Sequence, residues 1–489
     1  MSLPDDSSRV VHHLLSGARW SAMLRFCAQA LSWLSTIIVV RFLTPGDYGL
    51  NSMLEAPLEL LLLLSTLGLD SALVQIKKLG NEELRSVFGC LLLVNGALFL
   101  AYFFGGSMIA AYFNEPRLDL LAKVLAFIFL IAPFRVLPNA LLDRDLKFKL
   151  KASVELVSSV IATITTLVLA VMGAGVWSLV SGLLINRILV ALMLMVLQPW
   201  YIRPSLNFPV ARQMLSFGAV MTLSNAMILL GGKVSTFIVG PGFGPEKLGL
   251  YAIAMQFALL PLAKIMPVIN PIIFPAFSKF QGQKDVAAYY LERALGMVSL
   301  VFFPMMVGMA CIAEESVSVL FGEKWVAAAL PLALLSLVMP FRMVINVIKP
   351  VISAMGRADL ALKSGLLHLG IIVPLSFLGI QYGVIGAAMA WVIAEPIVAL
   401  ATAQMSKQVL NLTLKRIMRC LMPAVVSSVV MAACVFATKI ALGHGGGLVS
   451  LALEVAIGAI CYYLALRYIF RQHLEDAIRI FLGRGKGLQ

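Results

Sequence analysis

The stretch IVVRFLTPGDYGL, Ile38 to Leu50, is written twice in this chain. A gapless shift of 200 residues sets Ile38, Val39, Pro45, Gly49 and Leu50 on Ile238, Val239, Pro245, Gly249 and Leu250. Each copy closes one long apolar run, turns on proline and glycine, and opens another. Two further markers repeat at nearly the same offset: Pro133-Phe134-Arg135 as Pro340-Phe341-Arg342, and Gly175-Val176 as Gly383-Val384. The chain is read as two successive lobes of about 200 residues, an internal repeat of apolar spans of the kind that transporter folds use.

Composition sets the class. Hydrophobic residues make up 61% of the chain and charged residues 13%, with a mean hydropathy of +0.95, which excludes an ordinary soluble domain. Apolar runs long enough to cross a bilayer recur throughout, so an all-α polytopic membrane protein is expected. The six cysteines lie in or beside apolar runs without paired spacing, which argues for buried thiols and against a disulfide framework or a zinc site. Met1 to Arg9 is polar and the first apolar run is long enough to span, so no cleavable signal peptide is expected.

About fourteen spans near the 20 residues a bilayer requires can be counted. They give a six-helix lobe over residues 1–205, a second over 206–410, two additional spans within 411–470 and a basic cytoplasmic tail over 471–489. Span one is expected from Leu15 to Val40 and span two from Tyr48 to Ile76; Met214 to Val239 and Leu248 to Phe277 are expected as separate spans. Lysines and arginines crowd the turns after even-numbered spans, as in Arg144, Lys147, Lys149 and Lys151, whereas the opposite turns carry few, such as Arg117, Lys247 and Lys324. By the positive-inside rule both termini are cytoplasmic and the two copies of the marker turn are external. The net charge of +14 is thus a signal of topology and lipid surface, not of nucleic acid. Trp20, Trp177, Trp200 and Trp325 sit near expected span ends, where indole rings favour the interface. Residues 278–293 and 314–325, the longest turns, are too short to fold as soluble domains, so any chemistry lies among the helices.

Inside the spans, charges recur on narrow stripes. Ser21, Arg25, Gln29, Ser32 and Thr36 share one helical face, as do Ser52, Glu55, Glu59, Thr66 and Asp70. The same holds for Glu155 with Thr166, for Arg342, Asn346, Lys349 and Ser353, and for Trp391, Glu395, Thr402 and Ser406. Arg135, Arg187, Lys233, Lys264 and His368 stand more alone. A charge at membrane depth costs about 2.5 to 3.5 kcal/mol on insertion scales, so the economical placement turns these stripes toward a shared wet cavity that leans cationic. Plainer readings stand beside this one. Asp70 and Glu155, near span ends, can snorkel, and the deep arginines can form interhelical ion pairs. The repeat offset sets Arg187 opposite Glu395 as a candidate pair. Hydroxyls on these stripes can simply bond to their own helix.

RFLTPGDYGL, followed by STLGLDSALVQ from Ser65 to Gln75, and LDRDLKFK from Leu142 to Lys149 resemble oligosaccharide flippases (Wzx-like) of the polysaccharide transporter family, within the multidrug/oligosaccharidyl-lipid/polysaccharide (MOP) exporter superfamily. The branch resembled is that of colanic acid and exopolysaccharide exporters. The resemblance implies two pseudo-symmetric lobes of MATE-like fold in a bacterial inner membrane, and no enzyme activity. It further implies translocation of polyprenyl-pyrophosphate-linked oligosaccharide repeat units from the cytoplasmic to the periplasmic leaflet by alternating access, beside a polymerase and glycosyltransferases. On that reading Arg25, Arg135, Arg187, Lys264, Arg342 and Lys349 are candidates for the pyrophosphate and Trp391 for the sugar. Glu55, Glu59, Asp70 and Glu395 are candidates for coupling to H+ or Na+, with no cofactor and no metal. A lipid II flippase or a multidrug/cation antiporter of the same superfamily remains open, and more remotely a membrane glycosyltransferase or polymerase. The orientation is tested by reporter fusions: alkaline phosphatase joined after Lys247 is expected to be active and after Lys415 inactive, and the opposite pattern overturns it.

Overall fold

The computed structural model describes residues 35–66, 80–145, 147–198, 203–442 and 447–475, with backbone alone over 208–221, 223–228, 267–268 and 271–272. Arg25 and Asp70, most of the first expected span and the end of the basic tail lie outside the described residues. The described chain is helical almost throughout, as a lipid environment demands, because only a helix satisfies its own N–H and C=O groups there. The long helices are α1 Pro45–Thr66, α2 Asn81–Phe113, α3 Arg117–Arg144, α4 Phe148–Val171, α5 Val176–Leu197, α6 Phe208–Ser278 and α7 Lys284–Cys311. They continue, after the short α8 Ala313–Phe321 and a 3-10 turn Glu323–Ala328, as α9 Ala329–Ala354, α10 Ala358–Gly379, α11 Gly383–Leu410, α12 Leu414–Leu442 and α13 Leu448–Ile469. Ten segments among the described residues are long and apolar enough to cross a membrane.

Two compact units divide the chain, Met1–Gly249 and Leu250–Gln489. In the first, α2 packs along α3, α3 along α5 and α5 along α4, while α1 lies against α2 and α3. Buried polar side chains of α2 tie α1 in place: Tyr102 donates to the Leu54 carbonyl at 2.9 Å and Asn95 to the Ser65 carbonyl at 2.9 Å. In the second unit, α9 packs between α7 and α11, α10 against α11, and α12 against α7 and α13. Lys439 fastens α12 by donating to the Cys311 carbonyl and to Glu315 Oε2, each at 2.6 Å.

The stretch Phe208–Ser278, labelled α6, is two helices joined at a kink at Gly244 with φ 70°, and the expected spans Met214 to Val239 and Leu248 to Phe277 lie on either side of it. That left-handed value suits glycine alone without strain. Trp325 lies near the span end where it is expected, at the 3-10 turn that leads into α9, and is fully buried there.

The marker turn explains its own sequence. Thr44 and Asp47 form a reciprocal capping box: the Thr44 N–H donates to Asp47 Oδ2 at 2.9 Å and the Asp47 N–H to Thr44 Oγ1 at 3.3 Å. Pro45 fills the first helical position, where its missing N–H has no partner to lose. The second Asp47 oxygen accepts the Val176 N–H at 2.9 Å, capping α5 across the unit. The two copies also meet. A Cβ on Gly49 would overlap the Pro245 carbonyl, and a Cβ on Gly249 would overlap the Pro45 carbonyl. The repeated glycines are therefore a reciprocal backbone contact. Gly49→Ala or Gly249→Ala is expected to destabilise the protein by about 1 to 3 kcal/mol through overpacking. Gly46→Ala, whose Cβ would meet only side-chain atoms at 3.7 Å, is expected to be tolerated. Thermal unfolding in detergent separates the three.

Candidate functional site

In the second unit the cationic stripe of α9 meets the acid of α11. Arg342 and Lys349 are two turns apart and share a face. Glu395, 1% exposed, receives Arg342 Nη1 on its Oε1 at 2.5 Å. His368 of α10 approaches the same oxygen, Nε2 to Oε1 being 3.3 Å, but the alignment makes no hydrogen bond and that nitrogen is buried without a hydrogen-bond partner. Lys349 lies within electrostatic reach of both Arg342 and Glu395.

Trp391 stands one turn before Glu395 and is fully buried. Its ring underlies the Arg342 guanidinium, Cζ to centroid 4.8 Å, its Nε1 donates to the Tyr251 hydroxyl at 2.9 Å, and the His368 ring stands 5.6 Å away. The indole is thus a platform for Arg342, holding the planar cation by a cation–π contact. The Ser364 and Thr402 hydroxyls are 2.7 Å apart, while Thr402 and Ser406 also donate to carbonyls of their own helix, the plainer use of such hydroxyls.

The first unit holds a counterpart. Lys233 of α6 donates to Glu59 Oε1 at 2.9 Å. Glu55, one turn earlier on α1, accepts from Asn51 Nδ2 at 2.9 Å. Arg187 of α5 lies within electrostatic reach of Glu59, with its Nε buried and without a hydrogen-bond partner. Arg135 and Lys264 are half-buried on α3 and α6. Among the described residues no group of three His, Cys, Asp or Glu side chains converges as a metal site would.

Of the expected residues, Glu59 and Lys233 with Arg187 and Glu55 form one charge cluster and Glu395 and Arg342 with Lys349, His368 and Trp391 another, while Arg135 and Lys264 are placed in neither. Glu395 takes its cation from its own unit, whereas the repeat offset had pointed to Arg187. Lys233 and His368 were visible only as isolated polar residues in apolar runs, because nothing local shows which carboxylate another helix brings. A third cluster went unnoticed. Lys439, bound to Glu315, lies 3.9 Å from Glu454 Oε2, and Glu454, 5% exposed, was legible only as a lone acid within the last span. In the turn between α2 and α3, outside the spans, the hydrogen-bonded Arg117 guanidinium holds the Glu115 carboxyl below its ordinary value.

These features define a polytopic α-helical membrane protein with ion pairs among its helices. Its backbone matches the lipid II flippase MurJ in an inward closed conformation with a TM-score of 0.77, covering 93% of this chain and 99% of that one at 17% identity. It matches an inward-facing MATE family multidrug resistance transporter with a TM-score of 0.62, covering 78% and 94% at 15% identity. At such identities the likeness concerns the fold. The chain belongs to the family described as polysaccharide biosynthesis protein, whose pattern matches residues 38–330. It is 25% identical over 481 residues to the teichuronic acid biosynthesis protein TuaB of Bacillus subtilis (strain 168), 96% of this chain and 98% of that one. It is 26% identical over 388 residues to the lipopolysaccharide biosynthesis protein WzxC of Escherichia coli (strain K12), covering 78% of each.

The buried pair makes a quantitative prediction. Arg342→Met leaves Glu395 buried beside a lost cation and is expected to destabilise by about 3 to 5 kcal/mol, whereas the double variant Arg342→Met/Glu395→Leu is expected to recover most of that. Unfolding titrations of the two variants in mixed detergent check the difference.

Proposed function

We propose that the protein flips polyprenyl-pyrophosphate-linked oligosaccharide repeat units from the cytoplasmic to the periplasmic leaflet of a bacterial inner membrane, for an exopolysaccharide, capsule or O-antigen. The observation that carries this reading is the Arg342–Lys349 face of α9, two partly buried cations on a helix of a polysaccharide-biosynthesis membrane protein. A pyrophosphate is the ligand such a face suits, since guanidinium and phosphate oxygens match bidentately and the attraction grows as water is excluded. Arg25, Arg135, Arg187 and Lys264 are further candidates for the head group, the sugars use hydroxyl partners, and the polyprenyl tail stays in lipid. Both termini lie in the cytoplasm, as the lysine and arginine distribution supports. The two units rock between inward and outward access, and a polymerase and glycosyltransferases act before and after.

Glu55, Glu59, Asp70 and Glu395 are the candidates for coupling to H+ or Na+; unchanged transport in Glu55→Gln and Glu59→Gln would remove those two. A lipid II flippase is favoured by one observation, the likeness to MurJ. That likeness carries the fold only, and the family match and the named relatives favour the polymer repeat unit. No enzymatic step is needed for either cargo.

A deletion strain complemented with the native gene or with Arg342→Ala tests the proposal. Loss of surface polymer with accumulation of the lipid-linked repeat unit, rescued by the native chain and reduced at least tenfold in rescue by the variant, is expected. Normal polymer and normal lipid pools in the deletion strain would overturn it.

A further inference from the structure

Resting on the pyrophosphate reading above, we propose that Glu395 is an internal stand-in for the substrate's pyrophosphate, and that displacing it from Arg342 loads one proton onto the Glu395–His368 pair. Head-group binding and proton uptake are then a single event. The geometry supplies each part. Glu395 Oε1 occupies a guanidinium nitrogen that a phosphate oxygen would need, so carboxylate and head group compete for one cation. Arg342 stays charged throughout, leaving Glu395 as the group that must change.

Glu395 has almost no access to solvent. Deprived of its guanidinium, it would remain as a carboxylate in a dry surrounding, and such a group takes a proton in preference to staying charged. His368 is placed to pass that proton, with its Nε2 3.3 Å from Glu395 Oε1 and otherwise buried without a hydrogen-bond partner. The groups that face Glu395 are Arg342 and Lys349 from α9, His368 from α10 and, through Trp391 on its own helix, the Tyr251 hydroxyl of α6. Of the other helices packed against α11, α7 and α12 join Glu292 and Arg416 to each other, and Lys439 of α12 is engaged by Glu315.

The charges close. A sugar-linked pyrophosphate carries two negative charges at neutral pH; against Arg342 and Lys349, with Glu395 protonated, the loaded cluster is neutral. With Glu395 ionised it would carry one uncompensated negative charge in a low-dielectric setting. The covalent balance is a single proton transfer: the carboxylate gains H+ from the medium through the imidazole as Arg342 exchanges one oxygen acceptor for another. Release of the head group reverses both.

The test is calorimetric titration of the purified full-length protein with farnesyl-pyrophosphoryl-N-acetylglucosamine, in two buffers of different ionisation enthalpy and from pH 6 to pH 9. The native protein is expected to take up close to one proton per bound probe, with Kd weakening toward about tenfold per pH unit at the alkaline end. Glu395→Gln, an uncharged mimic of the protonated acid, is expected to bind without proton uptake, independently of pH, and more tightly than the native protein at pH 9. Binding by the native protein with no proton uptake overturns the proposal and leaves the pyrophosphate reading standing, and this measurement needs no variant to fold. Uptake by Glu395→Gln equal to that of the native protein also overturns it. Absence of binding at every pH overturns the pyrophosphate reading and the proposal with it.

Discussion

A charge withdrawn from water must find a partner, and this constraint organises the interior of the protein. The desolvation penalty of an unpaired ion amounts to several kcal/mol, comparable with the whole net stability of a folded domain. Each cluster answers it in the same way, with a carboxylate and a cation brought from different helices: Glu59 with Lys233, Glu395 with Arg342, and Glu315 with Lys439. The helices that carry these residues are thereby fixed in rotation, since a turn of about 100° would carry a charge off its partner and toward lipid.

Pairing has a second consequence. An ion pair that satisfies both partners is a neutral, closed unit, but one that leaves a spare cation or an unfulfilled nitrogen is open to exchange. Lys349 beside the Arg342–Glu395 pair and Arg187 beside the Glu59–Lys233 pair are such spares. On the proposed reading, a ligand rich in negative charge enters by substitution, replacing one acceptor with another, and no empty charged site has to be maintained while the protein waits. The platform of Trp391 under Arg342 serves the same end by keeping the guanidinium planar and in place.

The backbone contact at the marker turn is the other constraint. Gly49 and Gly249 each lie against the carbonyl of the other copy's proline, so two helix starts approach more closely than any side chain would allow. Asp47 draws in a third, the start of α5. The duplication seen in the sequence is therefore a physical contact as well as a historical one.

Much of this was legible in the residues. Hydropathy and the length of the runs require membrane-spanning helices, because a single apolar segment closes its own hydrogen bonds in lipid only as a helix; the repeated Pro-Gly turn marks the duplication; and the stripe of Arg342 and Lys349 follows from helical periodicity alone. Periodicity says which residues share a face of one helix and nothing about which helix that face meets. The offset of the repeat pointed Glu395 at Arg187, whereas packing of α9, α10 and α11 gives it Arg342 and His368. The burial of Trp325 and the use of Trp391 as a support for Arg342 are likewise matters of what packs against what. The sequence by itself determined the membrane class, the duplication and the supply of charges, since these depend on local chemistry and period. Only the tertiary structure decided how those charges pair, because a pair between residues tens or hundreds of positions apart is set by the packing of whole helices.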